Sequence, residues 1–221
     1  MSTNTAIDSV TRLAALPTAA ISDALDSLGL QGTLHGLAPL TFGFRAAGPV
    51  FTVQYESAGS ERGSVGDFLD DVPPGAVVLI DNSGRTDVTV WGGIMTEIAA
   101  ARGIAGTVVN GVCRDVATSL EHNYPIFSRG RFMRTGKDRV RLVSVGSALT
   151  INDLRISPLD VICGDADGAL AVPHEYAEQV ADIAEKIEET EARIVAAVKD
   201  GSTLVQARQD LGYHDLQWRK G

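Results

Sequence analysis

The sequence predicts a single α/β domain with mixed sheets and a long C-terminal helix. Two apolar runs, at residues 75–81 and 104–110, are typical of buried strands, and a helical pattern that begins near Trp91 lies between them. Together they predict a strand-helix-strand crossover. The 221 residues contain no internal repeat and no low-complexity linker, so one core is the simplest organisation.

The N-terminal third predicts a helical segment followed by a strand. A helical segment is expected over about residues 8–30, because apolar residues recur there at helical spacing and Gly29 can end it. Residues 48–55 alternate in the manner of a strand, and residues 65–69 predict a short helix. This part therefore contributes both element types to the predicted fold.

The second half predicts a β layer and a terminal helix. Short strands are expected at 125–127, 139–145, 148–151 and 160–163. A tight turn, GDADG, follows the last of them. From 174 to 199 one helix has Ala, Val and Ile on one face and Glu and Lys on the other. We expect these elements to form a layered α/β/β/α sandwich over residues 1–221.

Charge and composition limit the classes of partner. The net charge of −9 argues against sequence-independent nucleic-acid binding, which needs clustered cations. The basic residues that do cluster predict a solvated or interface surface: Arg129, Arg131, Arg134, Lys137, Arg139 and Arg141. No run reaches the roughly 20 apolar residues of a membrane span, and the start lacks a signal-like segment. We therefore expect a cytoplasmic protein with no membrane partner.

Two short motifs carry the predicted chemistry. Gly92, Gly93, Ile94 and Met95 lie where a loop enters a helix, so their backbone N–H groups are available to an anion. Arg114 and Asp115 follow a buried strand and the Gly111 turn. The guanidinium can bind a carboxylate through two hydrogen bonds, and Asp115 can bind Mg²⁺ or Mn²⁺.

Both motifs belong to one crossover unit, so we expect them to meet in one crevice. Strand ends and helix N-termini at the same edge of a sheet converge there. A 2-oxo acid needs both features, because its carboxylate requires N–H donors and its keto oxygen an electrophile. Breaking its C3–C4 bond leaves an enolate, whose charge the cation and Arg114 would stabilise. The sequence thus predicts a metal-dependent carbon-carbon lyase.

The same segments resemble a known family. The stretches WGGIMTEIAAARGIAGTVVNGVCRDV, VVLIDNSGRTD, PIFSRG and GDADGALAVP, with the early TAAISDALDSLGLQG and GPVFTV, are similar to the RraA-like family, which includes 4-hydroxy-4-methyl-2-oxoglutarate aldolase. The resemblance covers nearly the whole chain. It implies a class II retro-aldolase that yields pyruvate from a 4-hydroxy-2-oxo acid of the 4-hydroxy-4-methyl-2-oxoglutarate or 4-carboxy-4-hydroxy-2-oxoadipate type, with oxaloacetate decarboxylase activity, assembled as a homotrimer or hexamer.

The resemblance also implies roles for single residues. Gly92, Gly93, Ile94 and Met95 would bind substrate through backbone amides, Arg114 would bind its carboxylate, and Asp115 would bind the metal. Many aldolase members have an acidic residue that orders metal-bound water where this chain has Gly93. A glutamate of the last helix can reach a neighbouring subunit's metal, and Glu188 or Glu191 lies in the matching region, although a solvated helix face explains these acids equally well.

Other chemistries have weaker support in the sequence. His35, His122, His174 and His214 show no zinc-type spacing. Cys113 and Cys163 predict structural thiols, Asp165 and Asp167 predict turn residues, and no lysine lies in the crevice motifs to form a Schiff base. The alternatives that stay open are a protein-binding regulator of a ribonuclease, as in some family members, and a related lyase on another 2-oxo acid.

Overall fold

The computed structural model describes residues 3–59, 63 and 65–213. Within them, two helices precede the strands, two lie between strands in the middle of the chain, and two follow the last strand. The strands are β1 (Ala38–Pro39), β2 (Ala46–Ser57), β3 (Val77–Asp81), β4 (Gly106–Cys113), β5 (Ile126–Arg131), β6 (Val140–Val145), β7 (Leu149–Ile151), β8 (Leu154–Ile156), β9 (Val161–Asp165) and β10 (Gly168–Val172). The helices are α1 (Thr3–Ala15), α2 (Thr18–Ser27), α3 (Gly93–Ala101), α4 (Val116–Glu121), α5 (Ala177–Lys199) and α6 (Leu204–Asp210).

One mixed sheet contains eight of the strands. Its order is β1-β5-β4-β3-β2-β9-β10, with β6 paired to the end of β2, and β7 and β8 form a separate hairpin. β2, β3, β4 and β5 are parallel, and Val77 lies opposite both Val50 and Gly106. The amide of Leu34, in the segment before β1, donates a hydrogen bond to the carbonyl of Ala169 in β10 at 3.0 Å. This bond joins the two ends of the strand order, so the sheet is nearly closed.

Three apolar clusters fill the spaces between the layers. The interior cluster lies between the two halves of the sheet and includes Leu79, Val108, Phe127 and Ile162. A second cluster packs α3 onto the outer face of β3 and β4, and a third packs α1, α2 and α5 onto β9 and β10. The arrangement confirms the predicted α/β fold with a layered helix-sheet-sheet-helix order and a long C-terminal helix.

Several predicted elements differ from those in the structure. β4 continues through Cys113, whereas the sequence predicted a turn from Gly111, because a bulge between Val109 and Val112 absorbs the glycine within the strand. The helix predicted at 65–69 is instead a 3₁₀ turn at Leu69–Asp71, preceded by Gly66 with φ of 105°, which a helix cannot contain. β8 was not predicted. No helix among the described residues is long and apolar enough to cross a bilayer.

Candidate active site

The two predicted motifs line one cavity of about 490 Å³. Residues 92–95 form the loop and first turn of α3, and Arg114 and Asp115 connect β4 to α4. A carboxylate oxygen of Asp115 accepts a hydrogen bond from the amide of Gly93 at 2.8 Å, and the same oxygen lies 3.5 Å from Nε of Arg114. The structure therefore brings together all the predicted site residues.

The Gly93 contact changes which amides are available to a ligand. Because Asp115 already binds the N–H of Gly93, the remaining first-turn donors of α3 are Ile94 and Met95. The next amide, that of Thr96, donates within the helix to the carbonyl of Gly92 at 3.0 Å. An anion at this helix end would therefore meet two backbone donors, with the guanidinium of Arg114 beside them.

The backbone of Asp115 directs its side chain towards α3. Asp115 adopts a left-handed conformation (φ 57°, ψ 44°), which aspartate tolerates better than most residues. It precedes α4 but makes no side-chain cap to that helix, and caps α3 instead. The bulge in β4 and this conformation together place one carboxylate at the N-terminus of a neighbouring helix.

A side chain at Gly92 would crowd the charged pair. A Cβ atom there would stand 2.9 Å from Oδ2 of Asp115 and 3.1 Å from Nε of Arg114. At Gly93 the nearest atoms, of Asp115 and Thr118, would be 3.4 Å away, which is an ordinary contact. The glycine pair therefore contains one position where a side chain would displace the charged groups and one that has room for a small side chain.

Buried hydrogen bonds hold the Gly92 loop in place. The indole of Trp91, which is 1 % exposed, donates to the hydroxyl of Thr96 at 3.0 Å, and that hydroxyl lies 3.1 Å from the carbonyl of Gly92. The amide of Arg114 donates to the carbonyl of Trp91 at 3.0 Å. The ring of Trp91 also stacks on Tyr124. The loop and the Arg114 segment are thus fixed to each other.

The lining of the cavity also contains residues that the sequence reasoning missed. Thr89, Thr135 and Lys137 line it with Val65. The sequence motifs contain no lysine, yet the loop after β5 brings Lys137, which was assigned only to the basic surface cluster, to this cavity. A loop that returns from a non-adjacent part of the chain carries no local signal for this placement, so only the tertiary structure reveals it.

The remaining candidate residues lie elsewhere. Glu188 and Glu191 are half-buried on α5, outside the lining of this cavity. Asp165 is a structural residue, since its carboxylate accepts hydrogen bonds from the amide and hydroxyl of Thr18 at 2.8 and 2.6 Å. Burial raises the pKa of the Cys113 thiol, which disfavours a nucleophilic thiolate. His214 lies outside the described residues.

The donor set fits a cation that keeps most of its own water. The described residues include no group of three or more His, Cys, Asp or Glu side chains that could hold a metal. Asp115 supplies one carboxylate, of which Oδ1 accepts no hydrogen bond from a described residue. Mg²⁺ is commonly held by one or two carboxylates together with water and substrate oxygens. The site fits such an ion and not a closed all-protein cage.

The fold and this cavity place the chain in a known class. The RraA-like family model, described as Aldolase/RraA, matches residues 18–171, and the chain belongs to this family. A solved structure of an uncharacterised protein from Pseudomonas syringae pv. tomato superposes with a TM-score of 0.86 and 45% identity, covering 91% of this chain and 97% of that one. The family assignment made from the sequence is thereby confirmed.

Two curated relatives add what is known of similar chains. The protein DlpA of Legionella pneumophila is 41% identical over 198 residues, which is 88% of this chain and 32% of DlpA, so the chain spans about a third of that relative's length. A protein of Halalkalibacterium halodurans, provisionally named 4-hydroxy-4-methyl-2-oxoglutarate aldolase, is 32% identical over 91% of this chain and 93% of its own length.

Proposed function

We propose that the chain is a divalent-metal-dependent lyase that cleaves a 4-hydroxy-2-oxo acid to pyruvate and also decarboxylates oxaloacetate. The observation that carries the proposal is the single cavity in which Arg114, Asp115 and the first turn of α3 meet. The name of the Halalkalibacterium relative supports the same substrate class, 4-hydroxy-4-methyl-2-oxoglutarate. Another 2-oxo acid of similar shape would use the same groups.

Each site residue has a distinct part in the proposed reaction. The amides of Ile94 and Met95 and the guanidinium of Arg114 bind and orient the substrate's C1 carboxylate. Asp115 would hold Mg²⁺ or Mn²⁺, which when bound supplies Lewis-acid stabilisation of negative charge on the keto oxygen. Arg114, beside that oxygen, stabilises the same charge electrostatically. The Asp115–Gly93 hydrogen bond keeps the carboxylate in position.

The bond changes define the product. The C4 hydroxyl gives its proton to solvent water in the open cavity, the C3–C4 bond breaks, and its electron pair remains on the three-carbon fragment as an enolate. Protonation at C3 then gives pyruvate, and the C4 fragment leaves as a second carbonyl compound. In oxaloacetate the same enolate forms when CO₂ leaves. Gly93 brings no carboxylate, so Asp115 is the only acid among the described lining residues. Because no second acid is present to order metal-bound water, we expect slow turnover.

A pyruvate assay on purified protein tests the proposal. We expect pyruvate from 4-hydroxy-4-methyl-2-oxoglutarate or oxaloacetate with Mg²⁺ or Mn²⁺, and loss of turnover with EDTA. Asp115→Ala should lose metal activation, and Arg114→Ala or Arg114→Lys should lose most turnover, because lysine cannot reproduce the planar fork. Asp167→Ala removes an exposed acid outside the cavity and serves as the control. Metal-independent turnover, or wild-type rates in the Asp115 variant, would contradict the mechanism.

The proposed assembly is a homotrimer or hexamer. Large apolar side chains are exposed on α3, on α4 and on the loop after β5: Ile94 (77 %), Ile98 (40 %), Leu120 (49 %) and Met133 (74 %). Several large apolar side chains exposed on neighbouring elements support a contact face for a second copy of the chain. Light scattering of the purified protein at micromolar concentration should give three or six times the mass of 23.3 kDa.

A second candidate function is regulation of a ribonuclease by direct binding. The family description joins aldolases with RraA proteins, and the net charge of −9 suits a basic protein partner. Capture of a ribonuclease by the purified protein, together with absence of pyruvate release from every 2-oxo acid in a panel, would favour this function over the lyase.

A further inference from the structure

We propose that Lys137 selects dicarboxylic 2-oxo acids by binding the substrate carboxylate that lies farthest from Arg114. This inference rests on the proposed lyase function and adds a specificity-determining residue to it. The two positive side chains among the described lining residues are Arg114 and Lys137, and the one negative side chain is Asp115. The cavity lining therefore offers a second positive group, Lys137, besides Arg114.

The loop that carries Lys137 is held against the rest of the site. The amide of Thr89 donates to the carbonyl of Arg134 at 2.9 Å, and Nη1 of Arg114 lies 3.5 Å from the carbonyl of Met133. Gly136 allows the backbone of the loop to lie against the backbone of Thr89, because a Cβ atom at Gly136 would be 2.4 Å from the carbonyl oxygen of Thr89. The backbone of the loop is therefore fixed relative to both Thr89 and Arg114.

Further hydrogen bonds fix the backbone at Lys137 itself. Its amide donates to the hydroxyl of Thr135 at 3.2 Å, and the guanidinium of Arg139 donates to the carbonyls of Thr135 and Lys137, each at 3.3 Å. The side chain of Lys137 is exposed and forms no ion pair with a described carboxylate. Its ammonium group is thus available on a braced loop at the cavity wall.

The charge pattern matches one class of substrate. A lysine ammonium binds a carboxylate as a compact point charge, whereas a Schiff-base lysine must be desolvated in an apolar pocket. The exposure of Lys137 therefore favours the carboxylate role. A five-carbon dicarboxylic 2-oxo acid has one carboxylate at C1 for Arg114 and the helix amides, and a second at C5. Cleavage between C3 and C4 would leave the second carboxylate on the departing fragment, at Lys137.

Steady-state kinetics with two classes of substrate test the inference. The dicarboxylic substrate is 4-hydroxy-4-methyl-2-oxoglutarate, and the monocarboxylic one is 4-hydroxy-4-methyl-2-oxopentanoate, which has a methyl group in place of the distal carboxylate. We expect Lys137→Met to raise KM for the dicarboxylic substrate about tenfold, with a smaller change in kcat and none in kcat/KM for the monocarboxylic one. Lys137→Arg should recover most of the affinity. Arg131→Met, which removes an exposed charge outside the cavity lining, controls for the general field of the basic cluster.

Inhibitor binding gives a readout that does not depend on turnover of a substrate variant. Oxalate is short enough to occupy the Arg114 end alone, whereas 2-oxoglutarate has the full dicarboxylic length without the cleavable C4 hydroxyl. Lys137→Met should weaken inhibition by 2-oxoglutarate about tenfold and leave inhibition by oxalate unchanged. Equal weakening of both inhibitors, or of neither, would overturn the role of Lys137. Absence of pyruvate from both substrates with the wild-type protein would instead refute the underlying lyase proposal.

Discussion

A methyl group at Gly92 is the smallest change that should disable the site while the fold remains intact. In Gly92→Ala the new Cβ would be 2.9 Å from Oδ2 of Asp115, and an ordinary contact begins near 3.4 Å, so the carboxylate must move by about half an ångström. Nε of Arg114, at 3.1 Å, must move in the same way. Both charged groups of the site therefore shift, although neither is mutated.

The expected loss follows from that displacement. Misplacement of reacting groups by about 1 Å costs roughly 10²-fold in rate, so we expect kcat/KM of Gly92→Ala to fall about 10- to 100-fold. The backbone at Gly92 is extended (φ −149°), which alanine also adopts, and replacing an N-cap glycine by alanine costs about 1 kcal/mol or less. The variant should thus remain folded at 25 °C.

Two other glycines serve as references for this experiment. Gly43→Ala places a Cβ with no atom within 4 Å and should keep wild-type kinetics. Gly93→Ala, with nearest contacts at 3.4 Å, should lose much less activity than Gly92→Ala. Pyruvate release gives the rates and urea unfolding gives the stability of each variant. A Gly92→Ala protein with wild-type kcat/KM would refute the steric reasoning, as would equal losses in all three variants.

Two further predictions concern groups that support the fold around the site. Thr96→Val removes the hydroxyl that accepts the hydrogen bond of the buried Trp91 indole, so the free energy of unfolding measured in urea should fall by about 1–3 kcal/mol. Thr96→Ser keeps the hydroxyl and should lose less stability. An unchanged free energy in Thr96→Val would contradict the stabilising role of this hydrogen bond. At Asp165, burial raises the pKa, but hydrogen bonds from Thr18 and Asp167 outweigh it and lower the pKa overall. The ionised Asp165 carboxylate therefore stabilises the folded protein above its unfolded pKa of about 4, and this stabilisation is lost as pH falls through the lower folded pKa. The difference in free energy of unfolding between wild type and Asp165→Asn should shrink between pH 7 and pH 3. A constant difference would exclude this linkage.

The sequence was sufficient to predict that the two motifs of the site lie close together. Residues 92–95 and Arg114–Asp115 belong to one crossover, and the ends of adjacent parallel strands must share an edge of the sheet. Their proximity is therefore a consequence of local patterns and topology alone. The family resemblance adds the names of the chemical roles, which remain predictions until the variants are assayed.

The parts that the sequence did not predict depend on tertiary contacts. Gly111 was interpreted as the start of a turn, but its neighbours continue the ladder because the turn at 82–85 packs against it and a bulge accommodates it. The left-handed conformation of Asp115 has no unique signature, since aspartate occurs in many turns. Lys137 reaches the cavity through a loop whose neighbours, such as Thr89, are distant in sequence.

One strand belongs to both halves of the sheet. The first residues of β2, Ala46 to Pro49, pair with β9, the following residues pair with β3, and the last ones pair with β6. The helices on β9 and β10 and the crossover that builds the cavity are therefore anchored to the same continuous backbone. Loss of β2 would remove pairing partners from both halves of the sheet at once, so we expect the two halves to unfold in one cooperative transition.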